Sequence, residues 1–211
     1  MLGKREENIQ KQKGYPSLGK IERLHPYKML AFLGMVISFL ILAFMIIAFL
    51  ISKPEIADNE SFSFPKPLII GMVLILLSTL SISRLLPSFE SENIRRMFNS
   101  LVATSILALL FVGCQLLGWL QLEQNGPDIF QDPSIAFLYI IFGLHAAHLV
   151  TGLSFLTYFL IYTFNLNKDP VRSLIAVTNP YQRVKIEMFV AFWYFFNFFW
   201  MVMFFFMLFT F

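Results

Sequence analysis

Apolar residues run through this chain in five long blocks, near 28–51, 67–86, 97–121, 134–163 and 186–209. Short segments between them collect the charges. A helix needs about 20 mostly apolar residues to cross a bilayer, and every block reaches that length. The fourth exceeds it, which predicts a tilt or an end projecting beyond the hydrocarbon. Prolines punctuate the pattern. Pro54, Pro65 and Pro67 suit a turn and the start of the second block, and Pro87 predicts its close. Asn125-Gly126-Pro127 is a turn signal, Pro133 opens the fourth block, and Asn179-Pro180 marks a turn at the end of 165–184, read as the longest internal loop. The expectation is an all-α integral membrane protein with five transmembrane helices in one bundle. A polar tail, 1–27, precedes a single membrane domain, 28–211, with no repeat and no second domain.

Composition sharpens this class. The chain has 211 residues, 57% hydrophobic and 14% charged, with 26 Phe. Soluble domains carry about 25% charged residues. The first block is not expected to be a signal peptide, because it lies behind the polar tail, is too long, and lacks a small-residue cleavage site. The pI near 9.0 does not imply nucleic acid. The basic residues flank membrane blocks, and their asymmetry predicts orientation. Lys4, Arg5, Lys11, Lys13, Lys20, Arg23, Lys28, Arg84, Arg95, Arg96, Lys168, Arg172, Arg183 and Lys185 fall on one side, and only Lys53 and Lys66 on the other. This places the N-terminus in the cytoplasm and the C-terminus outside. The single cysteine, Cys114, cannot form an intrachain disulfide.

Blocks four and five carry polar groups that lipid would reject. At about 100° per residue, block four has two faces. Gly143, Ala147, Thr151 and Ser154 form a small-residue stripe that allows close helix approach. His145, His148 and Gly152 cluster on the opposite side, which predicts a sandwiched helix or one face on lipid head groups or a cavity. A metal or haem role for the two histidines is disfavoured, because both lie on one helix, and the third, His25, sits at the membrane edge. A structural helix–helix or subunit contact is favoured, with a lipid or proton-linked role open. In block five, Glu187, Tyr194 and Asn197 share a broad stripe, and Ala191 between them admits a neighbour. Trp193 and Trp200 share another stripe, for which core packing is the default. Glu187 either snorkels to the boundary or serves a contact; both readings stand. Asn197 lies deeper and should hydrogen-bond another helix. Ser38, Ser78, Thr79, Ser81 and Ser83 are read as bonding their own helix backbones. Ionisable groups at mid-depth are confined to the histidines, and neither a nucleotide loop nor a nucleophile–base pair is visible, so the chain reads as a helper rather than a catalyst.

The motifs of these two blocks resemble subunit III of the haem-copper respiratory oxidases. The family carries a G-h-H-x-h-H segment in its next-to-last helix, here Gly143-Leu144-His145-Ala146-Ala147-His148, followed by Gly152. Its last helix runs from a Glu, here Glu187, to a segment here reading Trp193-Tyr194-Phe195-Phe196-Asn197-Phe198-Phe199-Trp200. More loosely similar are Pro67-Leu68, Ser78-Thr79, and Phe111-Val112-Gly113-Cys114-Gln115 before Trp119. The resemblance spans about 27–209 and fits the bacterial five-helix form. Four positions depart from the family pattern. Tyr194 stands for His, Asn197 for Asp, Gly118 for an acidic residue, and 33–45 lacks the intramembrane Glu associated with proton uptake.

The resemblance implies a non-redox subunit, without catalytic residues, cofactor or metal of its own, in a proton-pumping terminal oxidase, with cytochrome c as the expected donor. Haem and copper would belong to partner subunits. Subunit I would be the main contact, with subunit II, small membrane subunits and a larger respiratory supercomplex as further partners. Phospholipid would bind at the seam with subunit I. His145, His148, Gly152, Glu187, Trp193, Tyr194, Asn197 and Trp200 are the expected subunit or lipid contacts, and the small stripe the expected helix-packing face. The bacterial inner membrane is the expected location. Alternatives are a quinol oxidase subunit III, an accessory subunit of nitric oxide reductase, a free-standing transporter and a haem-bearing cytochrome.

Overall fold

The computed structural model describes residues 26–52, 65–125 and 133–210. The expected polar tail up to residue 25, His25 within it, and the turns expected in 53–64 and 126–132 lie outside the described residues. Seven helices occupy the rest: α1 (Pro26–Ile51), α2 (Lys66–Ile82), α3 (Leu85–Glu90), α4 (Ile94–Asn125), α5 (Pro133–Lys168), α6 (Pro170–Thr178) and α7 (Pro180–Thr210). The chain is an all-α, multi-pass membrane protein: five of its stretches are helical, long and apolar enough to cross a bilayer, among the described residues. Its outer surface is apolar. Leu30, Phe32, Leu40, Phe44 and Ile51 of α1 are all exposed, as are Leu109, Leu116 and Val150. A soluble protein rarely presents so large an apolar surface.

Prolines act where expected, with two differences. Pro87 does not close the second span. The helix breaks earlier, at Ser83-Arg84, and resumes as α3 through Pro87 to Glu90. A proline ring collides with the carbonyl four residues before it, which here belongs to Ser83, so the break falls upstream of the proline. Glu92, at φ 56°, then turns the chain in the left-handed region. Asn93 caps α4, its Oδ1 accepting from the Arg96 N–H at 2.9 Å. The segment 165–184 is not a loop. α5 runs on to Lys168, α6 follows, and α7 begins at Pro180. Asp169 explains the renewed helix: its Oδ1 accepts from the N–H groups of Val171 and Arg172, with Pro170 in the first turn.

Helix directions follow from paired contacts. Lys28–Glu187, Phe39–Phe198 and Phe49–Phe206 advance together along both helices, so α1 and α7 run parallel. Gly152–Trp193, His148–Phe199 and Phe159–Phe189 show α5 and α7 antiparallel. α2 and α4 are antiparallel and make the most extensive pairing in the bundle. Leu68 lies on Gly118 at one end, and at the other Ser81 and Ser100 each donate a hydroxyl to the other's carbonyl. α7 touches α1, α2, α3, α5 and α6 and is the centre of the bundle. Half of its apolar stretch is buried, against 11% of α1, which is therefore the peripheral helix.

Candidate functional site

The polar residues of α5 and α7 meet across the middle of the bundle. His145 is 2% exposed and lies among aromatic rings. Phe196 stacks on it at 5.0 Å between centroids, Trp200 lies tilted at 4.6 Å, and Phe111 of α4 stands edge-on at 6.1 Å. The two motif segments therefore meet within one chain. His148 sits one turn from the cage, partly buried against Phe199. Its Nδ1 lies 2.7 Å from the Leu144 carbonyl and its Nε2 3.0 Å from Ser38 Oγ on α1. A carbonyl only accepts, so Nδ1 carries the proton, and in the neutral ring Nε2 accepts from the Ser38 hydroxyl.

Two further bonds tie α7 to α2. Trp193 Nε1 donates to Ser78 Oγ at 3.2 Å, and Asn197 Nδ2 donates to Thr79 Oγ1. Trp193 and Trp200 are both core, 1% and 0% exposed. Gly152 is buried beneath α7: a side chain there would meet Phe192 and Trp193 at 3.4 and 3.5 Å. At one end, Glu187 accepts from Lys28 and pairs with Arg183 at 3.3 Å, and Arg183 also reaches Glu90 at 2.7 Å. These links join α1, α7 and α3. Each group is partly exposed, so the links are worth roughly 0–1 kcal/mol apiece.

The structure places His145, Gly152, Trp193, Asn197 and Trp200 inside the bundle and brings His145 and Trp200 together: the two tryptophans pack in the core and Asn197 bonds across to α2, the readings their spacing and depth favoured, while the subunit or lipid contacts that the resemblance implied for these residues are not visible in a single chain. The helical wheel identified a shared face but not its cover, and the cover is this chain's own α2, α4 and α7. Tyr194 is 39% exposed and stands apart from the cluster. Gly143, Ala147, Thr151 and Ser154 are all exposed, so α5 is not sandwiched within its own chain. Nothing lies within 4 Å of the point where a Gly143 side chain would begin.

Sequence reasoning missed the partners of these groups. The hydroxyls of Ser78, Thr79 and Ser83 do bond their own helices, as expected. Ser78, Thr79 and Ser38 also receive or supply an interhelical bond, and the Ser81 hydroxyl bonds across to α4. Their presence in otherwise lipid-compatible spans was the available signal. Beside this core, an apolar groove of ≈ 560 Å³ runs between α1, α5 and α7, lined by Ala31, Phe155, Phe189 and Phe192, with Tyr181 and Lys185 towards one end. Lys185 lies 4.7 Å from the Tyr181 ring centroid. No group of three or more His, Cys, Asp or Glu that could hold a metal ion occurs among the described residues. Chemically, the arrangement holds helices together and buries one imidazole.

No family model matches the chain, and no curated protein matches it.

Proposed function

We propose that this chain is a non-redox subunit of the subunit III type in a bacterial haem-copper terminal oxidase, packing on subunit I in the inner membrane with its N-terminus in the cytoplasm. The observation that carries the reading is the packing of the two motif-bearing segments on each other. The His145 segment of α5 and the Trp193–Trp200 segment of α7 form one aromatic cage, so the residues that carry the resemblance lie together in one structural unit, which supports reading them jointly. The orientation rests on the placement of the basic residues.

In this reading the exposed stripe of Gly143, Ala147, Thr151 and Ser154 lets a helix of subunit I approach closely. Subunit II and small subunits complete the assembly, which enters a larger respiratory complex. The groove between α1, α5 and α7 holds an acyl chain of a phospholipid, with Lys185 near its head group. Haem and copper belong to the partner subunits. The role of this chain is to keep subunit I supplied with lipid and protons during turnover.

The test is purification of the tagged chain from its native membrane in mild detergent, followed by mass spectrometry of co-purifying chains and an absorption spectrum. A haem-copper subunit with oxygen-consuming activity is expected. Purification of the chain alone, with a solute-dependent activity, would overturn the reading. Co-purification with a nitric oxide-reducing partner would move the chain to that enzyme class.

A further inference from the structure

Three ring nitrogens at the centre of the bundle are buried without a hydrogen-bond partner among the described residues: Nδ1 and Nε2 of His145 and Nε1 of Trp200. Gln115 Nε2 and Asn197 Oδ1 are in the same condition. Two of these residues, His145 and Trp200, meet in one layer with Phe111. The His145 and Trp200 rings are 4.6 Å apart, and Phe111 lies 6.1 and 5.5 Å from them. Gln115 Nε2 and the Phe111 ring each lie 3.5 Å from the point where a Gly71 side chain would begin. Asn197 precedes Trp200 by about one turn of α7.

A polar group buried without a partner costs about 2–7 kcal/mol relative to water, and folded proteins leave few such groups. The partner here must meet narrow conditions. His145 and Trp200 are 2% and 0% exposed, which bars a side chain from a second protein. Phe111, Phe196 and Phe199 around the imidazole offer no acceptor. A neutral imidazole needs one donor and one acceptor, and an indole needs an acceptor. A small molecule able to do both is required, and water is such a molecule.

We infer that this layer binds ordered internal water, which accepts from Trp200 Nε1–H and hydrogen-bonds a ring nitrogen of His145. Two hydrogen bonds of about 2.9 Å bridge polar atoms up to about 5.8 Å apart, and the two ring centroids are 4.6 Å apart. Internal waters make about three hydrogen bonds, and Gln115 Nε2 and Asn197 Oδ1 are further buried groups without a partner among the described residues. The bound water makes the histidine a satisfied core residue of α5 rather than a ligand awaiting a metal.

The experiment uses the full-length chain in lipid nanodiscs, together with any chains that co-purify, labelled with 15N-histidine. Magnetisation transfer from water to the imidazole N–H is read by solid-state NMR, and His145→Phe assigns the signal. A transfer peak to His145 is expected. Trp200→Phe should reduce it by about half or more, since the water loses one of its roughly three bonds. A resolved His145 N–H signal without transfer from water would overturn the inference. A second readout serves should Trp200→Phe fail to fold: ultraviolet resonance Raman of the unsubstituted chain should show the Trp200 indole N–H at a hydrogen-bonded frequency. An unbonded frequency would overturn the inference as well. Neither readout depends on which partner co-purifies.

Discussion

Gly118 offers the sharpest test of how α2 and α4 meet. A Cβ at this position would lie 2.5 Å from Leu68 Cδ2 and 2.8 Å from Leu68 Cγ. Carbon atoms pack best at about 3.5–4.0 Å, so Gly118→Ala leaves an overlap of about an ångström. Leu68 cannot swing aside easily. It is 1% exposed, and the atom at 2.8 Å is the branch carbon, not a chain end. The helices must separate or Leu68 must leave its rotamer, for about 1–3 kcal/mol. Alanine is the better helix former by about 0.8–1.0 kcal/mol, which offsets part of that cost.

Gly113→Ala on the same helix is the control, because nothing lies within 4 Å of its Cβ position. The helix-propensity gain is common to both variants, so their difference isolates the overlap. Unfolding of the chain in bicelles, by steric trapping or denaturing-detergent titration, should show Gly118→Ala less stable than Gly113→Ala by about 1–3 kcal/mol. Adding Leu68→Ala to Gly118→Ala should recover part of the loss, a coupling of about 0.5–3 kcal/mol. Equal stability of the two alanine variants, or strict additivity with Leu68→Ala, would refute the close approach of α2 and α4 at this point.

Asn197→Leu removes the bond to Thr79 and should cost about 0.6–1.7 kcal/mol in the same assay; a neutral effect would show that the bond contributes nothing. Ser38→Ala should loosen α1, whose links to the bundle include the Ser38–His148 bond, and hydrogen exchange in α1 should quicken while α2 and α4 hold. Glu92→Gly should stabilise the α3–α4 turn by about 1 kcal/mol, because the residue stands at φ 56°; a loss of stability would contradict that backbone geometry. On the proposed function, stripping the chain from the oxidase that co-purifies with it should leave the haem bands and copper content unchanged while activity decays faster over repeated turnovers. Loss of a haem band in proportion to this chain would revive a ligand role for His145 and His148.

Hydropathy along the chain was enough to show five apolar helices of membrane-spanning length, because a bilayer imposes length and apolarity on each span separately. Local chemistry at the span ends was legible in kind but not always in consequence. Pro87 announced a disturbance, yet the clash lies with the carbonyl of Ser83, so the helix breaks before the proline and continues past it. Asp169-Pro170 could have announced the renewed helix in 165–184, since an N-cap acid before proline is a local signal. The helical wheel grouped His145, His148 and Gly152 correctly on one side of α5, because that grouping depends on a single helix. What covers each side depends on five helices together. α7 sits at the centre and buries His145, Gly152 and Asn197, while the small-residue stripe remains on the outside. Lipid is as apolar as the residues facing it, so hydrophobicity does not say which face turns inward. Shape and hydrogen bonds between residues far apart in the chain decide that, and Ser78 with Trp193, Thr79 with Asn197 and Leu68 with Gly118 are matched only once the helices are packed.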